Sequence, residues 1–140
     1  MKLSPAAEMA VRGTIALAER FGQGPVALSS ISDGRLQYLT KIFSALVRAD
    51  IVTPVRGRDG GYMLSREPSL ISLLEVIEAV EGPLALNYCQ HSPARCDNAD
   101  CKVRPVWTEL QQAIHGRLKA VKLSDCIKRA SQAQPVKPPQ

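Results

Sequence analysis

Near the start of the chain, small and apolar residues recur at three- and four-residue steps: Ala7, Ala10, Val11, Thr14, Leu17, Ala18 and Phe21. That period lines one face of an amphipathic helix. Ser4 is a favoured N-cap, and Pro5 suits the first helical position because its missing N–H would have had no partner there. Gly22 and Gly24-Pro25 end the run. Leu28 to Ser32 leaves room for only a short helix before the turn signal Asp33-Gly34. A second amphipathic run follows, with Leu36, Leu39, Ile42, Phe43, Leu46 and Val47 on its apolar face. Gln37, Tyr38, Thr40, Lys41, Ser44 and Arg48 form the opposite face. Two helices joined by a tight, glycine-containing turn make a helix-turn-helix.

The period then changes. Ile51-Val52-Thr53-Pro54-Val55 reads as a strand, Gly57-Arg58-Asp59-Gly60-Gly61 as a turn, and Tyr62-Met63-Leu64 as the returning strand. Pro54 cannot donate to a ladder, so the hairpin is expected at an edge. Ser72 and Glu75 have capping-box spacing, with Ile71 and Val76 able to form a hydrophobic staple, and the helix they begin stops at Gly82-Pro83. A cysteine-bearing loop spans Leu84 to Lys102, and Val103, Trp107, Leu110, Ile114, Leu118 and Val121 stripe a long helix after it. Leu123 to Ala130 completes the helices. The pattern predicts a mainly α fold with one small β-hairpin, without internal repeats. A winged helix-turn-helix covers residues 1–83, a cysteine loop 84–102, and a dimerisation helix with a final short helix 103–130. The proline-containing tail 131–140 is expected to be disordered. The long stripe is suited to packing on its own copy, although closing the core of one chain would also explain it.

Composition narrows the class. A chain of 140 residues with 45% hydrophobic residues can bury one ordinary core. It carries no apolar run of membrane-spanning length and no secretory leader, so a cytoplasmic protein without membrane attachment is expected. The net charge of +5 is unevenly spread. Residues 35–66 hold six Lys/Arg against two acids, whereas residues 67–100 sum to −5. A compact basic segment attracts a phosphate backbone through counterion release, though a merely solvated basic face has the same composition.

The second helix of a helix-turn-helix needs polar side chains near its N-terminal end to reach base edges. Gln37, Tyr38, Thr40 and Lys41 meet that requirement, with Arg35 at their head. On the hairpin, Arg56 and Arg58 flank Gly57, a combination of slim backbone and guanidinium groups that suits a minor groove. These eight residues are the candidate contacts to double-stranded DNA.

Cys89, Cys96 and Cys101 are separated by six and four residues, and Cys126 lies apart in a helical context. Soft thiolates suit iron–sulfur clusters and zinc, but the spacing is not that of a zinc ribbon or knuckle. Three cysteines leave one coordination position, for which His91, Asp97, Asp100, Cys126 and the distant Glu8 are all candidates; simple exposed thiols are the plain alternative. No nucleophile–base pair and no phosphate-binding glycine loop suggests an enzyme.

Several segments together resemble the IscR/NsrR family of bacterial transcription regulators. They are Met-Lys-Leu-Ser at the N-terminus, Tyr38-Leu39-x-x-Ile42-Phe43-x-x-Leu46, and Val55-Arg56-Gly57-Arg58-Asp59-Gly60-Gly61-Tyr62-x-Leu64. The run Ile71 to Gly82, the three-cysteine loop and Trp107 add to them, so that the resemblance extends to about residue 130. It implies a homodimer that reads a palindromic operator and senses redox state, nitric oxide or iron–sulfur status through a bound cluster. It implies Cys89, Cys96 and Cys101 as ligands. A histidine that completes the set in IscR-like members is Arg104 here, whereas an acidic fourth ligand from the other subunit, as in NsrR-like members, corresponds to Glu8. Three thiolates and one oxygen favour a four-iron cluster, with a two-iron cluster as the other possibility. One departure is that the segment Ile31 to Leu36 is shorter than the family pattern. The alternative function is a cluster-free regulator of the same fold, acting as a thiol switch or controlled by a partner protein. An electron-transfer iron–sulfur protein and a zinc protein are the remaining readings.

Overall fold

The computed structural model describes residues 2–133. Helix α1 (Pro5–Glu19) starts as its sequence dictates, with the Ser4 hydroxyl accepting the Ala7 N–H at 3.1 Å. Ala7, Ala10, Thr14, Leu17 and Ala18 form its buried face, and Thr14 satisfies its own hydroxyl by donating to the Ala10 carbonyl at 2.9 Å. Phe21, expected on that face, lies past the helix end and is exposed. The first helix of the helix-turn-helix is reduced to a single 3-10 turn, Leu28–Ser30, in which only Leu28 is buried. The chain then reverses through Gly34, whose φ of +97° is open to glycine at little cost.

Helix α2 (Leu36–Arg48) buries Leu39, Ile42, Phe43 and Leu46. Leu36, expected among them, is its first residue and is exposed. The hairpin pairs β1 (Val52–Val55) with β2 (Gly61–Leu64), setting Pro54 opposite Tyr62. On its other side Tyr62 exchanges both backbone hydrogen bonds with Val26, each 2.9 Å. The N–H and C=O of one strand residue point the same way, so Tyr62 and Pro54 form a non-hydrogen-bonded pair. The N–H that Pro54 lacks would face the open edge, where its loss breaks no ladder. Gly61 is required here, because a Cβ would overlap the Val26 carbonyl.

Helix α3 (Leu73–Glu81) has the complete capping box: the Ser72 hydroxyl accepts the Glu75 N–H at 3.2 Å and the Glu75 carboxylate accepts the Ser72 N–H at 2.8 Å. Ile71 and Val76, the expected staple, are both fully buried. After the cysteine loop, helix α4 (Arg104–Ala120) runs out from the core, touching α3 and the loop but burying no residue of its own. The chain returns at residues 121–123, which hydrogen-bond to residues 71–73 through Leu73 N–H to Val121 and Leu123 N–H to Ile71, both 3.0 Å. Leu123 thereby enters the core, and helix α5 (Leu123–Gln132) lies against α1. α5 extends through Ser131 and Gln132, into the segment expected to be disordered; positions 134–140 of that segment lie outside the described residues. No described helix is long and apolar enough to cross a membrane.

Candidate DNA interface and cysteine loop

Burying one side of α2 forces the other outward. Arg35, Gln37, Tyr38, Thr40, Lys41, Ser44 and Arg48 are all exposed. The hydroxyls of Thr40 and Ser44 donate within the helix, to Leu36 at 2.8 Å and Thr40 at 3.0 Å. Gln37, Tyr38 and Lys41 make no side-chain hydrogen bond among the described residues, leaving their polar atoms available. The helix begins without a side-chain cap and without an acid in its first turn, so its N-terminal N–H groups and the positive end of its dipole face outward. Around that end Gly34, Arg35, Leu36, Gln37, Tyr38 and Lys41 line an open concavity.

Arg35 is oriented by its neighbour. Its Nε and Nη2 donate to the two carboxylate oxygens of Asp33, at 3.2 and 2.6 Å. That hydrogen bond holds the Asp33 carboxyl below the usual carboxylate range and raises the arginine correspondingly. Asp33 was not among the sequence candidates: its spacing from Arg35 across a glycine is visible in the sequence, but the turn at Gly34 that makes the two side chains meet is not. On the hairpin, Arg56, Gly57 and Arg58 are exposed, and neither arginine is paired among the described residues. The same glycine that bends the hairpin, Gly57 with φ +118°, separates them.

The cysteine loop is fastened to both helices that flank it. At its start the Leu84 N–H donates to Glu78 of α3 at 3.0 Å. The Gln111 side chain of α4 clasps it twice, accepting the Leu86 N–H at 2.8 Å and donating to the Leu84 carbonyl at 2.6 Å. A 3-10 turn at Tyr88–Gln90, which the sequence pattern did not predict, holds Cys89. Its Gln90 amide donates to Thr108 of α4 at 3.1 Å. Arg104, at the position of the IscR-type histidine, donates from Nη2 to the Asn98 carbonyl, so it ties the loop to α4.

Cys89, Cys96 and Cys101 are free and half-buried. Their chemistry, three soft thiols in one loop, fits an iron–sulfur cluster. Their placement does not yet assemble one: among the described residues no group of three Cys, His, Asp or Glu side chains gathers closely enough to hold a metal ion. Glu8 is exposed in the first turn of α1. The Ser4 N–H donates to Glu81 at 2.7 Å, which places the start of α1 beside the end of α3, where the cysteine loop departs. Cys126 is free and half-buried on α5, and burial, then the charge of Asp125, pushes its thiol up.

Comparisons with known proteins agree with this architecture. Residues 3–129 match the family model Rrf2, described as an iron-dependent transcriptional regulator. The HTH-type transcriptional regulator IscR of Xenorhabdus nematophila is 33% identical over 132 residues, covering 91% of this chain and 80% of that protein. Among solved structures, T. potens IscR superposes with a TM-score of 0.77 at 31% identity, covering 98% of this chain and 93% of the other. CymR, the global cysteine regulator of B. subtilis, superposes with a TM-score of 0.79 at 28% identity, covering 96% and 99%. The mostly helical fold with one antiparallel hairpin is thus that of the winged-helix regulators, and the family consists of regulators, not enzymes. This chain belongs to the Rrf2 family of transcriptional regulators.

Proposed function

We propose that the chain is a cytoplasmic homodimer that binds palindromic double-stranded DNA, with an iron–sulfur cluster governing the binding. The observation that carries the DNA reading is the outward row on α2, Gln37, Tyr38 and Lys41 with Arg35 at its head. The wing pair Arg56 and Arg58 lies on the same basic segment. The row would read base edges in the major groove and the wing would enter the minor groove. The homodimer rests on α4, where Val106 and Leu110 are 49% and 42% exposed and Val103, the residue just before the helix, is 44% exposed.

Cys89, Cys96 and Cys101 would hold the cluster, with the partner subunit's Glu8 as the oxygen ligand. A four-iron cluster suits that donor set. When bound, it supplies chemistry that responds to redox state, nitric oxide or iron supply. The residues of this chain tie that loop to the DNA-binding unit. Glu78 and Gln111 fix its start to α3 and α4, and Ser4 with Glu81 joins that region to the head of α1. A change in the loop therefore bears on the helices that carry the reading head, and shifts the population of binding-competent dimers.

The test is protein purified without oxygen and examined by visible absorption with iron and acid-labile sulfide counts. A brown protein with matched iron and sulfide, which retains less of both as Glu8→Ala, is expected. A second reading is favoured by the separated thiols and the likeness to CymR: a cluster-free regulator acting as a thiol switch or through a partner protein. Protein that stays colourless after anaerobic reconstitution while still binding DNA would establish that reading and exclude the cluster.

A further inference from the structure

The DNA-facing end of α2 contains one feature that DNA binding alone does not require. A surface that attracts phosphate gains nothing from a carboxylate, yet Asp33 lies at the head of α2 and engages Arg35 through both its oxygens. The pair is about half exposed on each side, 55% and 55%. Exposed ion pairs contribute little to folding, so stability does not account for it. Geometry does. The carboxylate occupies the Nε edge of the guanidinium and one hydrogen of Nη2. The end-on edge, with the remaining hydrogens of Nη1 and Nη2, stays open. Two parallel donors on that edge match the O6 and N7 acceptors of a guanine. The short connection makes this arrangement possible: with one 3-10 turn before it and Gly34 at φ +97° between the partners, Asp33 and Arg35 meet across a single residue.

We propose that Asp33 is a positioning residue that aims Arg35 at a guanine in each half-site, making this pair the main specificity determinant at that base pair. The inference rests on the DNA-binding reading and deepens it. The carboxylate acts in two ways. It freezes a long side chain whose rotamer freedom would otherwise be lost on binding. It also opposes the alternative in which Arg35 swings to a phosphate, because Asp33 would then face the backbone charge without its partner.

The experiment is selection from a random double-stranded DNA library by the full chain, as wild type and as Asp33→Asn, Arg35→Ala and Arg35→Lys, followed by affinity and salt dependence on the selected sequence. The wild type is expected to select a palindrome with a fixed guanine in each half. Arg35→Ala should lose preference at that position alone, by roughly 5- to 150-fold, the range of a good bidentate contact. Arg35→Lys should lose it as well, since an ammonium has the charge but not the planar fork. Asp33→Asn should relax the same column while the other columns stand, with affinity for the selected sequence falling less than in Arg35→Ala. A salt slope lowered by about one unit in Arg35→Ala with an unchanged motif would make Arg35 a phosphate contact and overturn the proposal. So would an Asp33→Asn motif identical to wild type, or one weakened evenly at all positions. A wild type that binds DNA without selecting a guanine refutes the pair alone, whereas one that binds no DNA refutes the underlying reading too.

Discussion

Gly13 lies in the middle of α1, where helix propensity alone says alanine would be better by about 1 kcal/mol. The structure predicts the opposite sign. A Cβ on Gly13 would lie 2.8 Å from Cε2 and 3.0 Å from Cζ of Phe43. A flexible side chain would move aside, but the Phe43 ring is fully buried and held edge-on against Tyr62, with centroids 5.0 Å apart at 69°. Forcing a methyl into such a core costs about 1–3 kcal/mol. Subtracting the propensity gain leaves Gly13→Ala destabilised by about 0–2 kcal/mol, centred near 1.

The interaction is exposed by a double-mutant cycle with Phe43→Leu, which removes the ring atoms in question. Phe43→Leu should itself cost less than the roughly 3–5 kcal/mol of a truncation to alanine. On that background Gly13→Ala no longer meets the ring, and the propensity gain of up to about 1 kcal/mol should reappear as stabilisation. The sign reversal is the signature, with a coupling of about 1–3 kcal/mol. Urea unfolding followed by far-UV circular dichroism, at one protein concentration for all four chains, measures it. Should Gly13→Ala stabilise the wild type, or change both backgrounds equally, the ring is not a fixed wall and the reasoning fails. The contact matters beyond stability because α1, α2 and the wing all meet at this ring, which seats α2 relative to the hairpin.

Two further outcomes follow from other contacts. Burial opposes ionisation of Glu75, but the Ser72 N–H and hydroxyl and the Arg66 guanidinium overcome it and hold the carboxyl below its ordinary value of 4.5. A folded-state pKa below the unfolded one gives stability that is present above pH 4.5 and lost as pH falls through the folded value. Glu75→Gln keeps an acceptor for the Ser72 N–H but loses the charge beside the half-exposed Arg66, so it should unfold earlier at neutral pH by roughly 0.2–1 kcal/mol, and show a shallower loss of stability below pH 4.5 than the wild type; parallel acid titrations monitored by thermal unfolding would contradict this. On α4, Leu110→Glu places a charge on the exposed stripe that the proposed dimer covers, and sedimentation should find a folded monomer where the wild type is a dimer; an unchanged dimer would move the interface elsewhere.

The parts of the fold that were legible in the sequence are those encoded locally. The faces of α1 and α2, the Pro54 edge and the Ser72–Glu75 box each follow from residues within a turn or two of one another, and each took its expected place. Ends were less legible: Phe21 and Leu36 keep the apolar period of their helices, but lie where the helix has not yet met, or has already left, its neighbour. Contacts between distant segments were not legible at all. Nothing near Leu123 announces that it fills a core built from α1, α2 and α3, and nothing near Gln111 announces the backbone groups of Leu84 and Leu86 that it clasps. For the candidate site the same division holds. Exposure of the α2 row follows from periodicity, whereas the Asp33–Arg35 pair depends on a turn shape that composition does not specify.

Helix α4 shows how a pattern can be read correctly and still lack its reason within one chain. Val103, Trp107, Leu110, Ile114 and Leu118 keep helical spacing, yet none is buried, and the surface that α4 does touch is supplied by α3 and the cysteine loop. An apolar stripe in water costs free energy in proportion to its area, so a stripe that the chain's own core does not cover is explained most simply by a second molecule. The loop's attachment to the same helix through Gln111 and Thr108 then has a consequence. In the proposed dimer, whatever rearranges the cysteines would pull on the helix that joins the two subunits, and so on the distance between their two α2 helices. Spacing between two reading heads is the quantity a palindromic site measures, since half-sites about one helical turn of DNA apart accept only one separation. On the proposed dimer, a loop fastened to α4 would therefore control DNA binding without touching DNA.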